Sequence, residues 1–117
     1  YKKYHSWRNA RFQKAIEGAS RTVYNNVDLV KQWFSDGGKY EYDMALSDII
    51  SALSKAEFNE YLFAGHSVEY WSTDANIGME LFANINSIEV LEYDSLKEIK
   101  ELFPDLYEAY KEVGGWG

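Results

Sequence analysis

The run Tyr40-Glu41-Tyr42-Asp43-Met44-Ala45-Leu46-Ser47-Asp48-Ile49-Ile50-Ser51-Ala52-Leu53-Ser54 decides the fold class. Tyr42, Ala45, Leu46, Ile49, Ile50 and Leu53 recur at intervals of three and four. An α-helix turns once in about 3.6 residues, so this spacing lines them along one side of a helix. A half-buried strand would alternate apolar and polar residues instead. The spacing predicts a helix over residues 40–54.

Working toward the N-terminus, Ser35-Asp36-Gly37-Gly38 is a loop signal, since glycine supplies the left-handed residue that ends helices. It closes a short helix predicted from Val27 to Phe34, with Asp28 as its cap. Asn25-Asn26 marks the break before it. A first helix is predicted from Ser6 to Ser20, capped by Ser6, with Trp7, Ala10, Arg11, Lys14, Ala15 and Gly18 at helical intervals.

Toward the C-terminus, Phe58, Tyr61, Leu62 and Phe63 fit either a short strand or a piece of helix. That leaves room for one short β-hairpin near residues 56–66. Gly65 interrupts the pattern. A helix from about Ala75 to Ser87, capped by Asp74 or Ser72, presents Ile77, Leu81, Ile85 and Ile88. Another runs from Leu96 to Leu102 after a cap at Asp94 or Ser95. Pro104 starts the last, because proline fits the first helical turn. Its Leu106, Tyr107, Tyr110 and Val113 are expected to face inward. The expectation is a mainly α, single helical domain over residues 1–117, of about five to six helices, with a frayed or extraneous end at 114–117.

Composition narrows the function classes. With 117 residues the chain suits one core, and 46% hydrophobic residues suffice to fill it. The net charge of -7 argues against nucleic acid, whose phosphates require a basic surface. Lys2, Lys3, Arg8, Arg11, Lys14 and Arg21 face only Glu17 in the first 21 residues, and this basic segment is expected to dock on the acidic remainder. With no cysteine, thiolate metal sites and cysteine nucleophiles are excluded. No apolar run approaches the roughly 20 residues that span a bilayer, so no membrane role is expected.

Two histidines are present, His5 and His66. His66 lies between Gly65 and Ser67, at an expected bend. It could serve as a ligand, a proton-transfer group or an oxyanion donor, or be a turn histidine bonded to backbone. His5 sits near a terminus. Glu80 lies among apolar neighbours and shares a helix face with Ile77, Leu81 and Asn84. A carboxylate facing a core is costly unless paired or metal-bound. Glu80 therefore reads either as a metal ligand supported by Asn84 or as a residue on the solvent boundary. There is no phosphate-binding glycine loop, no nucleophile elbow and no H-E-x-x-H.

Gly65-His66-Ser67, Tyr70-Trp71, Gly78, Glu80, Phe82-Ala83-Asn84, Leu96, Ile99, Phe103-Pro104 and Tyr107-Glu108 occur in an order that resembles the C-terminal part of zincin-like metallopeptidase domains. Such domains occur in phage-related proteins, including minor head (head-morphogenesis), mobile-element and toxin-like proteins. Ser47 to Leu53 resembles the segment before the Gly-His turn in the same group. The resemblance spans roughly residues 45 to 112. It implies an H-E-x-x-H helix upstream, whose histidines bind zinc and whose glutamate is the general base. It makes Glu80 the candidate third zinc ligand and His66 a candidate catalytic or substrate-fixing group. Tyr70, Trp71 and Asn84 become candidates for the substrate cleft. It further implies a protein or peptide partner, an upstream region of the same polypeptide, and a bacterial cytoplasmic or virion setting.

The chain opens at Tyr1, so it reads as an excised fragment. The leading expectation is a zincin-like fragment that is catalytically incomplete, needing no cofactor by itself, with zinc bound in the intact protein. The alternative is a non-enzymatic helical interaction or structural module.

Overall fold

The computed structural model describes residues 9–114. Among them are six α-helices: α1 (Ala10–Tyr24), α2 (Val27–Phe34), α3 (Met44–Ser54), α4 (Asp74–Val90), α5 (Leu96–Leu102) and α6 (Pro104–Gly114). Two short 3-10 turns, Asn59–Tyr61 and Tyr70–Ser72, lie between α3 and α4. The helical expectation holds. No strand forms among the described residues, so the region near 56–66 is not a hairpin.

The deciding run becomes the innermost helix. Nine of the eleven residues of α3 are buried, leaving only Met44 and Asp48 at least partly exposed. A helix apolar nearly all round must be packed on several sides. α4 runs back along it, so that Met44 shares a groove with Leu91 while Leu53 lies near Asp74 and Ile77. α1 packs against both α3 and α6. Leu46, Ile49, Ile50, Leu81, Ile85, Ile88 and Ile99 are fully buried. Each such side chain contributes about 1.5–3 kcal/mol through lost apolar surface.

Helix starts differ from expectation where a competing side chain caps better. α3 begins at Met44, because the Asp43 carboxylate accepts from the Leu46 N–H at 2.9 Å. Residues 40–43 therefore form a turn. Tyr40 is buried, but Tyr42 is 73% exposed and leaves the apolar stripe. α4 is capped by Thr73, whose hydroxyl accepts from the Asn76 N–H, and not by Asp74 or Ser72. Asp74 instead occupies the first turn, where its charge meets the helix dipole. Asn9 caps α1, and the helix continues past Ser20 to Tyr24; Ser6 and His5 lie outside the described residues. Asp28 sits in the first turn of α2, behind Asn26 at the cap position. Ser95 precedes α5 without a capping side-chain bond. In α6, Leu106, Tyr110 and Val113 are buried and Tyr107 is half-buried. Arg11 does dock on acids, at 2.9 Å from Asp105 and 3.6 Å from Glu112 of α6.

The segment after α3 is turn, not strand. Lys55 and Ala56 both take positive φ, and the Ala56 N–H donates to the Ser51 carbonyl, closing the helix end. Phe58 then folds into the core, edge-on to Tyr24 and Tyr61.

Candidate metal centre

Three serines of α3 recur at intervals of three and four, and two of them hold the loop that carries His66. The Ser47 hydroxyl accepts from the Ala64 N–H at 2.8 Å and also pairs with the Ala64 carbonyl. Ser51 Oγ accepts from the Trp71 indole N–H at 3.0 Å and the His66 N–H at 3.3 Å. It donates to Asn59 Oδ1 at 2.7 Å. Asn59 in turn donates its amide to the His66 carbonyl at 2.7 Å. Both backbone groups of His66 are thus bonded to side chains. Gly65 has to be glycine for this approach, because a Cβ there would lie 2.6 Å from Ser51 Oγ.

The His66 ring is fixed as firmly as its backbone. It stacks on Tyr70, with centroids 4.0 Å apart and planes at 26°, and meets Trp71 edge-on at 5.2 Å. Its Nε2 points to Glu80 Oε1 at 3.7 Å. The other Glu80 oxygen, Oε2, accepts from the Tyr70 hydroxyl at 2.8 Å. Burial and the neighbouring Glu80 push the Tyr70 hydroxyl upward, so it remains a donor. One turn along α4, the Asn84 amide donates to the Glu80 carbonyl at 2.8 Å and reaches Oε1 at 3.5 Å.

Asp48 completes the arrangement from α3. One ligand atom from each of Asp48, His66 and Glu80 lies within 4.8 Å of the others. Burial raises the Asp48 carboxyl above its ordinary value; His66 opposes that shift and Glu80 adds to it. Two carboxylates around one imidazole leave excess negative charge whether or not the ring is protonated. With the His66 side chain 39% exposed, the His66–Glu80 pair itself is worth at most about 1 kcal/mol.

The donor set fits zinc. Zinc binds imidazole nitrogen and carboxylate oxygen at about 2.0–2.2 Å in a tetrahedral arrangement, so two ligand atoms of one ion lie about 3.4 Å apart. The His66–Glu80 pair at 3.7 Å is close to that separation. Asp48 has to close by up to about 1.4 Å, within reach of a side-chain rotation.

Beyond Asp48 and Asn84 opens a groove of about 690 Å³. Loop 37–43, the start of α3 and the end of α4 enclose it. Asn84 is the one cleft candidate that lines this groove. Tyr70 holds Glu80, and Trp71 is 1% exposed, so its role is to anchor the histidine loop from the core. Sequence reasoning singled out His66 and Glu80 and overlooked Asp48, Ser51 and Asn59. The available signal was a polar row, Ser47, Asp48, Ser51 and Ser54, inside an otherwise apolar helix. In comparisons with protein-family models, characterised proteins and solved structures, nothing matches the chain.

Proposed function

We propose that this chain is a helical divalent-metal-binding domain in which Asp48, His66 and Glu80 hold a zinc ion. The observation that supports the reading most strongly is the convergence of an imidazole and two carboxylates, from α3, α4 and the loop between them, within 4.8 Å. Supporting groups orient Glu80, the candidate zinc ligand of the sequence, and His66, its candidate catalytic or substrate-fixing group. Tyr70 and Asn84 hold Glu80, and Ser51 and Asn59 hold His66. Such bonds to ligands are a regular property of metal sites, since they fix orientation.

The resemblance to zincin-like domains of phage-related proteins shares only Glu80 with this ligand set, since it implies the two histidines of an upstream H-E-x-x-H as the other ligands. A zinc ion on three protein ligands supplies Lewis acidity and an open coordination position. Peptide hydrolysis by the family's route also uses the glutamate of an H-E-x-x-H, which residues 1–117 do not contain. The proposed activity of this chain is metal binding.

The test is calorimetric titration of the chelator-treated protein with zinc. One site per chain is expected, weakened at least about tenfold by Glu80→Gln and by Asp48→Asn, because each removes an anionic ligand. Equal affinity in wild type and Glu80→Gln would contradict the assignment.

A further inference from the structure

The groove beside the metal centre has a composition of its own. Nine large apolar side chains are exposed among the described residues, and four of them, Tyr42, Met44, Leu91 and Tyr93, line this groove. Phe63 packs edge-on against Tyr42 at 5.5 Å and extends the patch. Scattered exposed apolar residues are ordinary on a protein surface, but gathered ones mark contact sites. Tyrosine and methionine are also enriched where proteins meet.

Charge distinguishes the occupant. Glu41, Asp43, Asp48 and Asp94 line the groove, against Lys39 as the single lining cation. Glu41 is partly engaged, since it accepts from the Gly37 N–H at 3.0 Å. Asp43 uses one oxygen to cap α3 and keeps the other. A lining that mixes exposed apolar side chains with four carboxylates complements a chain segment carrying both apolar and basic side chains.

The wall is preorganised, which lowers the ordering cost of binding. The Tyr40 N–H donates to the Trp33 carbonyl at 2.9 Å, and the Tyr40 hydroxyl donates to Glu98 at 2.7 Å. At Gly38 a Cβ would lie 2.3 Å from the Gln32 carbonyl oxygen, so the loop lies directly on the end of α2.

We infer that this groove docks an extended segment of a partner protein in which lysine or arginine alternates with apolar residues. Docking does not require the metal, because the lining acids other than Asp48 lie outside the metal centre.

The probe is the capped peptide Gly-Lys-Leu-Lys-Phe-Arg-Gly, with a counterpart bearing glutamate at each basic position. Each is titrated into the isotopically labelled 117-residue chain with a chelator present, followed by amide NMR. Failure of zinc binding would therefore leave this result untouched. The basic peptide is expected to shift the amides of Tyr42, Met44, Leu91 and Asp94. The acidic peptide should bind at least about tenfold more weakly. The double variant Asp43→Asn/Asp94→Asn should weaken the basic peptide by about tenfold, the loss of two exposed ion pairs. Asparagine still caps α3 at position 43, so the fold is retained. Equal binding of both peptides, shifts centred elsewhere, or no binding at millimolar peptide would overturn the inference. Residues 1–8 also carry Lys2, Lys3 and Arg8. If Lys2→Glu/Lys3→Glu in the full chain binds the basic peptide more tightly than wild type, the occupant is the chain's own segment and the partner assignment fails.

Discussion

Gly65 and Ser51 meet so closely that neither can change without moving His66. In Gly65→Ala the new Cβ would press on Ser51 Oγ at 2.6 Å and Asn59 Oδ1 at 2.9 Å. Overpacking of this kind costs about 1–3 kcal/mol. Chemical denaturation should show that loss, and a loss below about 0.5 kcal/mol would mean the loop is not seated on α3 as described. Asp48 makes an opposite prediction. Its carboxyl is raised in the folded chain above the ordinary value of 3.8, with burial as the largest cause. Well below that value both folded and unfolded chains carry the proton, and the group contributes nothing to the pH dependence. As the pH rises, the unfolded chain gives up its proton first, so the folded state loses stability until its own carboxyl titrates. Asp48→Asn removes this loss. In chelator, the melting temperature of Asp48→Asn should exceed that of wild type, with a gap that opens from about pH 4 upward. A variant less stable than wild type at neutral pH would sink the claim that Asp48 is held there against its own solvation. Stability given up for a site is the expected trade where a charged group is kept for function.

At the scale of the element, α3 is both the centre of the core and the mount of the site. Its serine row bonds the loop, its Asp48 faces α4, and its remaining side chains except Met44 are buried. Ser51→Ala should cost about 1–3 kcal/mol, because the buried Trp71 indole N–H loses its acceptor. The same change should release His66 and weaken zinc binding, which an unfolding measurement alone would not detect. A Ser51→Ala protein with unaltered zinc affinity would show that the loop is positioned by other contacts. The helices themselves were readable from apolar spacing, since periodicity survives small errors at the ends. The ends were not, because several side chains competed at each one. Thr73 won over Ser72 and Asp74, and Asp43 turned the Tyr40–Asp43 portion of the deciding run out of the helix. Residues 57–63 stayed open between strand and helix because aromatic clustering is shared by strands and by helical turns that drop one ring into a core. Glu80 stood out as a carboxylate among apolar neighbours. Asp48 did not, because a single acid between Ser47 and Ile49 looks like a solvent-facing helix position until α4 is laid against it. The partner that makes it a candidate ligand is 32 positions away in the chain.

For the whole molecule, the three proposed ligands come from α3, α4 and the intervening loop, so metal binding and folding should be linked. Zinc at a hundredfold excess over its Kd should raise stability by about 2.7 kcal/mol. Excess chelator should return the melting temperature to its starting point, and Glu80→Gln should show at most about half of the gain at the same zinc concentration. Zinc that lowers or fails to change the melting temperature of wild type would argue that binding, if any, occurs in the unfolded chain. No helix among the described residues is long and apolar enough to cross a membrane. The most direct test of the central claim is an anomalous-scattering map recorded at the zinc edge from crystals grown with zinc. The account predicts a peak between Asp48, His66 and Glu80, present in wild type and absent in Glu80→Gln. A zinc-bound crystal with no peak there, or with its peak elsewhere on the surface, would contradict it.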